Sequence, residues 1–454
     1  MYDTITKLYK YNFWKRGIVI YYFSIDLKSK LILMGIILTF MEKISFSGRI
    51  FDGKNVIDNG IVSIDANGII SDVSDDKKSL DSIRTISCEH ATILPGLIDV
   101  HMHFFGCRKE DISEWNLIPS ELASVRSVSD MHNLLLSGFT TVRDLGSKAG
   151  VFLSQAEKER DILGPEVISA GHSLAQTGGN DDLKYLPLEM SKGLSYSYYC
   201  DGPWECVSAV RKIVREGATV VKVYASGGFA AGGKPIPNLT VEELKSIVQE
   251  GHRNGLKVTA HAYGEDAIMN VIEAGVDSIE HGIGLTENLA ELIRKSGIYY
   301  VPTMSVYTKS SEHMPYEGLM PLIRGKSKVN REDIINRHLT KEIEIARDCE
   351  LKIAAGTDYV GAENSRHGNN SMEVKLLSKY LGADKALASA TSQAAICVGE
   401  VEKGLLAPGN IADIAVFTGH PDNNIEEISP SNLKYIVHNG NAFKIQGKNL
   451  IPIR

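Results

Sequence analysis

The middle of the chain alternates between two hydrophobic textures. Short apolar, β-branched runs recur, and stretches with helical spacing lie between most of them. The runs end near His103, Asp144, His172, Tyr224, His261, His281, Thr303 and Asp358. Helical spacing is clear over 240–254 and 330–349, and Thr240 with Glu243 supplies a capping pair for the first of these. Several of the runs are apolar throughout, as strands buried on both faces are. Repeated β/α units of this kind predict an α/β fold that closes as a (β/α)8 TIM-like barrel, with any site at the C-terminal ends of its strands.

The two ends read differently. Short strands separated by Asp-Gly, Asn-Gly and similar turns run from Ile44 to about Thr92. The same texture returns over 412–417 and 435–444. Neither end suffices to fold alone, so both termini are expected to build one small β-sandwich domain, from 43–94 and 401–454, around a barrel of 95–400. Residues 1–42 form an N-terminal extension with two apolar runs, 17–23 and 31–40, broken by a polar segment. Neither run has the roughly 20 residues that span a bilayer, and the pattern fits a signal peptide poorly. The extension is read as a peripheral membrane anchor, a segment packed on the body, or a stretch upstream of a true start at Met34 or Met41. The last is preferred, because the regular pattern begins only near Ile44.

Composition narrows the class of partner. The 454 residues carry a net charge of -7, with no Lys/Arg stripe interleaved with aromatics, which argues against nucleic acid. Six cysteines without a Cys-x-x-Cys motif suggest a reducing, cytoplasmic compartment and no disulfide framework. The expected partner is a small molecule, and the expected state a homo-oligomer.

The strand ends carry the chemistry. His101-Met-His103 closes the apolar run that starts at Leu94, and its i, i+2 spacing points both imidazoles to one face of a strand. A metal ion is the natural shared partner. Lys222 lies within the β-branched run 218–224. A lysine there is costly unless paired or modified. It is either a strand-edge residue reaching solvent or, beside metal, an amine that takes up carbon dioxide to become a bridging carbamate. His261 and His281 end consecutive strands, as ligands or as barrel-mouth packing residues. Asp358 ends the last strand, as metal ligand and proton acceptor or as a helix N-cap.

These segments resemble the amidohydrolase superfamily, in the branch of imidazolonepropionase-related proteins and prolidase-like (Xaa-Pro or Xaa-Arg) dipeptidases. The matching motifs are Pro95 to His103, Val221 to Gly228, Ala260-His261-Ala262, Ile279 to Gly282, Gly356-Thr357-Asp358, and Gly404 to Asp413. The resemblance implies two divalent ions, zinc by default. His101 and His103 would hold the more buried ion, and His261 and His281 the second. Carboxylated Lys222 would bridge the two, and Asp358 would bind the first and act as base. Lys222 points to the binuclear, dipeptidase-like branch, since imidazolonepropionases proper use one ion and lack this lysine.

His172 and Tyr224 are similar in place to residues that contact a substrate carbonyl or carboxylate or help hold the oxyanion. Residues 173–179 are similar to a loop over the site. The implied activity is hydrolysis of an amide, in a dipeptide or N-acyl amino acid, by a hydroxide shared between the ions. The alternatives are a cyclic-amide or imidazolone hydrolase, a deaminase, or a non-catalytic scaffold. Specificity is expected in loops 181–203 and 306–330, and Arg366 is either a carboxylate partner or a solvated loop residue.

Overall fold

The computed structural model describes residues 44–75, 84–109, 112–184, 186–227, 235–308, 331–447 and 449–453. The N-terminal extension with Met34 and Met41, the motif residue Gly228 and most of the expected specificity loop 306–330 lie outside the described residues.

The chain opens with β1 (Ile44–Phe51), β2 (Val56–Ile64), β3 (Ile70–Ser74) and β4 (Arg84–Pro95). The middle contains β5 (Leu97–Met102), β6 (Phe139–Asp144), β7 (Glu166–Ser169), β8 (Ser173–Ala175), β9 (Ser197–Tyr199), β10 (Val220–Tyr224), β11 (Lys257–Tyr263), β12 (Ser278–Ile283), β13 (Tyr299–Val301) and β14 (Lys352–Ile353). It closes with β15 (Ile414–Thr418), β16 (Leu433–His438), β17 (Asn441–Gln446) and β18 (Asn449–Pro452).

Both ends of the chain build one eight-stranded sheet, in the order β18-β17-β16-β15-β4-β1-β2-β3. Its seam is the antiparallel pair β4–β15, with Leu94 opposite Ala415 and Pro95 opposite Ile414. Phe46, Ile93, Ile414 and Val416 form part of the buried cluster that this sheet covers. The apolar run from Leu94 is therefore not a single strand. Leu94 and Pro95 end β4, and β5 begins at Leu97. Gly96 is the pivot, because a Cβ there would lie 2.1 Å from Thr140 Oγ1, so a larger residue would force the two sheets apart.

The central strands are parallel. Seven run in the order β14-β13-β12-β11-β10-β8-β9, and three in the order β5-β6-β7. Every residue of β5 is buried, the polar Asp99 and His101 included, as in a strand covered on both faces. The Thr219 amide donates to Ser169 O at 2.8 Å, linking the end of β7 to the residue before β10. On the other side, the Val100 amide donates to Ala355 O at 3.0 Å and the His103 amide to Tyr359 O at 2.8 Å, which ties β5 to the segment after β14. Helices lie between most of these strands. Val241–Arg253 starts at the expected capping box, where the Thr240 hydroxyl accepts from the Glu243 amide and the Glu243 carboxylate accepts from the Thr240 amide. The helical stretch expected over 330–349 is interrupted by a π-helical turn, His338–Glu342. Residues 173–175, expected as loop, form β8, whose three residues are all buried. Among the described residues, no helix is long and apolar enough to cross a membrane.

A buried ion cluster joins the eight-stranded sheet to the central strands. Lys403 Nζ lies 2.6 Å from Glu166 and 2.9 Å from Asp413, and His438 lies 3.0 Å from Glu157 and 3.4 Å from Asp413. Burial opposes a charge on His438, but Asp413 and Glu157 outweigh it and push the imidazole up to about 9. A folded value above the unfolded one, about 6.5, stabilises fully below that pH, and the contribution is lost as pH rises through about 9. The expected result is a melting temperature that declines by several degrees between pH 7 and 9.5. His438→Gln should flatten that decline, as followed by differential scanning fluorimetry; an unchanged slope would contradict the assignment.

Candidate active site

The end of β5 and the turn after β14 are locked together by Asp99. Its Oδ1 accepts from the amides of His101 (3.0 Å) and Thr357 (3.1 Å), and its Oδ2 accepts from Thr357 Oγ1 and Asn370 Nδ2, both at 2.7 Å. Gly356 makes this approach possible, since a Cβ there would lie 2.7 Å from His101 Cβ. The Asp358 amide donates to His101 O at 2.6 Å. As a result Asp358 Oδ1 sits 3.3 Å from His101 Nε2 and 3.0 Å from His103 Nε2. Asp358 is not a helix cap, because the next helix is Ser371–Leu381, preceded by Asn370.

Behind the two imidazoles stand fixed acceptors. His101 Nδ1 lies 2.7 Å from the Glu280 carboxylate, and His103 Nδ1 lies 2.9 Å from Gly146 O. Each Nδ1 must carry its proton, so in the neutral form of each ring Nε2 presents a lone pair to another acceptor, the Asp358 carboxylate. Two lone pairs and a carboxylate oxygen facing one another call for a cation. Their ligand atoms lie within 4.8 Å of one another, a group suited to holding a metal ion. An outer acceptor orienting each ligand imidazole is the usual support of such a site.

The other expected ligands come from neighbouring strands in register. Lys222 and Tyr224 share a face of β10, and Tyr224 is paired with His261 on β11. His261 is in turn paired with Glu280 on β12. Strict alternation would send His281 to the opposite face from Glu280. A register shift after Ala262 and a left-handed backbone at His281 (φ 66°) turn it back instead. The His281 ring then lies 5.1 Å from His101 and 4.7 Å from His261. Its Nδ1 is held by Thr303 Oγ1 at 2.8 Å and Tyr307 OH at 3.1 Å. Thr303 (φ 50°) and Asp358 (φ 59°) are also left-handed. Such backbone costs about 1–3 kcal/mol per residue and concentrates at functional sites.

The electrostatics divide the imidazoles: burial opposes a charge on His103, but Asp358 and Asp144 outweigh it and pull that ring upward. Burial drives His261 and His281 well below the ordinary imidazole value, and the nearby Lys222 adds to this at both. Among the described residues His261 Nε2 is buried with no hydrogen-bond partner, a cost of about 1–3 kcal/mol that a bound ligand would remove. Lys222 is 1% exposed, so it does not reach solvent at a strand edge. Among the described residues no carboxylate forms an ion pair with it. Burial pushes its amine down to about 8, against the opposing pull of Glu280 and Asp358. Burial would raise the Asp358 carboxyl, but His101, His103 and His281 hold it well below the usual carboxylate range. The donor set therefore fits divalent cations.

The structure brings His101, His103, Lys222, Tyr224, His261, His281 and Asp358 into one neighbourhood, and it leaves His172 out. The His172 imidazole pairs with Glu216 at 3.1 Å, stacks on Tyr198 at 4.2 Å and has Lys212 and Lys148 as its charged neighbours. It sits between β7 and β8, past the end of the strand it was expected to close, and its ring is engaged with the helix that ends at Glu216. Arg366 is exposed, and the neighbouring His367 is buried, with its Nε2 3.1 Å from His103 O.

Sequence reasoning passed over Glu280. It is fully buried, held at about 2 by Arg143 and His101 against the effect of burial, and bonded to Arg143 at 2.9 Å and Ser278 at 2.7 Å. A charged residue one position before His281 in an apolar strand was the available signal.

Comparisons with known proteins identify the family of the chain. The sequence profile of the amidohydrolase family matches residues 92–443. Ochratoxinase of Aspergillus niger is 31% identical over 385 residues, covering 78% of this chain and 76% of the relative. An uncharacterised protein of Mycobacterium tuberculosis is 28% identical over 299 residues, 66% of this chain and 72% of its own length. Among solved structures, that of the A. niger ochratoxinase superposes with a TM-score of 0.79 at 28% identity, covering 89% of this chain and 96% of the other. A Xaa-Pro dipeptidase with bound methionine in its active site gives 0.78 at 28% identity, covering 89% and 100%. The chain belongs to the amidohydrolase family, in its prolidase-like branch.

Proposed function

We infer that this protein is a metal-dependent hydrolase that cleaves the amide bond of a dipeptide or an N-acyl amino acid. The observation that carries the reading is the facing of two imidazole lone pairs and the Asp358 carboxylate, with both Nδ1 atoms already committed. His101, His103 and Asp358 would hold one divalent cation and His261 and His281 a second, with zinc the ion that best suits this nitrogen and oxygen set. Lys222, buried and without an ion-pair partner among the described residues, would add carbon dioxide through its neutral amine, release a proton and become a carbamate between the two. Bound cations supply Lewis acidity, lowering the pKa of a water and polarising a carbonyl. Asp358 takes the proton from the attacking water and delivers it to the leaving amine nitrogen. Tyr224 faces the substrate, and His172 has no part in the reaction.

Likeness to a Xaa-Pro dipeptidase supports the dipeptide class. The parallel strands would close as a (β/α)8 barrel, with the sheet built from both ends as its separate β-domain. The reading includes a cytoplasmic, homo-oligomeric enzyme.

The test is a screen of zinc-loaded protein against dipeptides, N-acyl amino acids, cyclic amides, imidazolones and aminopurines. Hydrolysis of a linear amide, abolished by chelation, is the expected result. Turnover confined to cyclic substrates or to deamination would overturn the substrate class.

A further inference from the structure

One wall of the site is built from residues outside the ligand set. Asp181 Oδ1 accepts from the Tyr196 hydroxyl at 3.0 Å and from Asn180 Nδ2 at 3.3 Å. Its Oδ2 accepts from the Ser197 hydroxyl in a short contact, and Ser197 Oγ lies 2.6 Å from Ser173 Oγ. The Tyr196 oxygen also lies 3.3 Å from the Tyr224 hydroxyl. Tyr224 is buried on β10, its ring 5.2 Å from that of His261 and beneath Lys222 Nζ at 5.1 Å. It therefore stands beside the reacting centre rather than at the outer end of the loop.

The protons in this chain can be counted. A tyrosine hydroxyl has one proton to give. Three donors converge on Asp181, the arrangement of an ionised carboxylate, which has lone pairs only. Burial pushes its carboxyl upward, and the Ser197 and Tyr196 hydrogen bonds pull it back. Tyr196 spends its proton on Asp181, so the proton between the two tyrosines comes from Tyr224. Tyr224 is left with lone pairs, and no proton, for whatever enters the site.

We propose that Asp181, acting through Tyr196, sets Tyr224 as a hydrogen-bond acceptor, and that Tyr224 reads the N–H of the scissile amide, so that the preferred substrates are linear amides with a hydrogen on the scissile nitrogen, unlike the Xaa-Pro dipeptides of the structural relative. This assignment rests on the amide-hydrolase reading above. It gives Tyr224 a partner of opposite polarity to the oxyanion expected from the sequence. Tyr224 is a specificity residue in this account, and Asp181 and Tyr196 are positioning residues.

Two measurements on the metal-loaded protein test it. The first compares kcat/KM for the best dipeptide with that for its analogue methylated at the scissile nitrogen. Tyr224→Phe should lower kcat/KM about tenfold for the N–H substrate and change the N-methyl substrate less than about twofold, the scale of one lost hydrogen bond. Asp181→Asn, whose amide can donate to Tyr196 and reverse the chain, should erase the preference for N–H in the same way. An equal loss on both substrates, or no loss on either, would overturn the proposal.

The second measurement needs no turnover. The tyrosine Raman doublet, taken as wild type minus Tyr224→Phe, should show a donating hydroxyl, and the same difference in the Asp181→Asn background an accepting one. An accepting Tyr224 in the wild type would overturn the polarity. If no amide were hydrolysed, the amide-hydrolase reading would fail and with it the N–H assignment, while the Raman difference would still decide the polarity set by Asp181.

Discussion

Asp358→Asn should retain bound metal yet lose about 10²–10⁴-fold in kcat, the range contributed by a positioned general acid or base. The amide oxygen of asparagine can occupy the place of Oδ1, 3.0 Å from His103 Nε2 and 3.3 Å from His101 Nε2. It cannot accept and return a proton. The fold should be unaffected, because the turn that carries Asp358 is held by Asp99, Thr357 and Asn370 rather than by the Asp358 side chain. The check is a pair of measurements on one preparation: metal per chain, and kcat on the best linear amide. A variant with full metal and full turnover would remove Asp358 from the role of base. A variant that lost its metal would show that Asp358 acts first as a ligand.

Lys222→Ala should bind one divalent ion where the wild type binds two, with activity lower by about 100-fold or more, at or beyond the upper end for losing a partner of a metal site. The lysine is 1% exposed and no carboxylate pairs with it among the described residues. An unmodified ammonium in that position would repel a cation beside it, as it already disfavours charge on His261 and His281. A carbamate reverses the sign of that interaction. Metal analysis of the variant would decide the matter, since retention of two ions would exclude a bridging role. Substitution to alanine also deletes a buried side chain, so the melting temperature should be followed in parallel to separate loss of an ion from loss of the fold.

Much of the site was legible because strand periodicity is local. The i, i+2 pair His101 and His103, the buried lysine on β10 and the histidines on β11 and β12 all follow from apolar runs that end in polar residues. What the sequence did not reveal depends on tertiary contact. The apolar run through Leu94 looks continuous, yet Gly96 divides it between two sheets because Thr140 stands where a side chain would go. Glu280 looks like an outward residue beside His281, and a register shift with a left-handed residue points both toward the site. His172 looks like the end of a strand, but that strand stops at Ser169 and the imidazole is taken up by Glu216 and Tyr198. The π-helical turn His338–Glu342 has no signature in a helical pattern of hydrophobic residues. It nevertheless places His338 against Tyr307, 5.4 Å between ring centroids, and Tyr307 in turn contacts His281.

The central claim is that cations held by this donor set are required for hydrolysis of a linear amide. Its most direct test is metal analysis of the purified protein, coupled to turnover of one dipeptide before chelation, after chelation and after addition of zinc. The account predicts two equivalents of divalent metal per chain, loss of activity on their removal and recovery on their return. Undiminished hydrolysis by metal-free protein would contradict it.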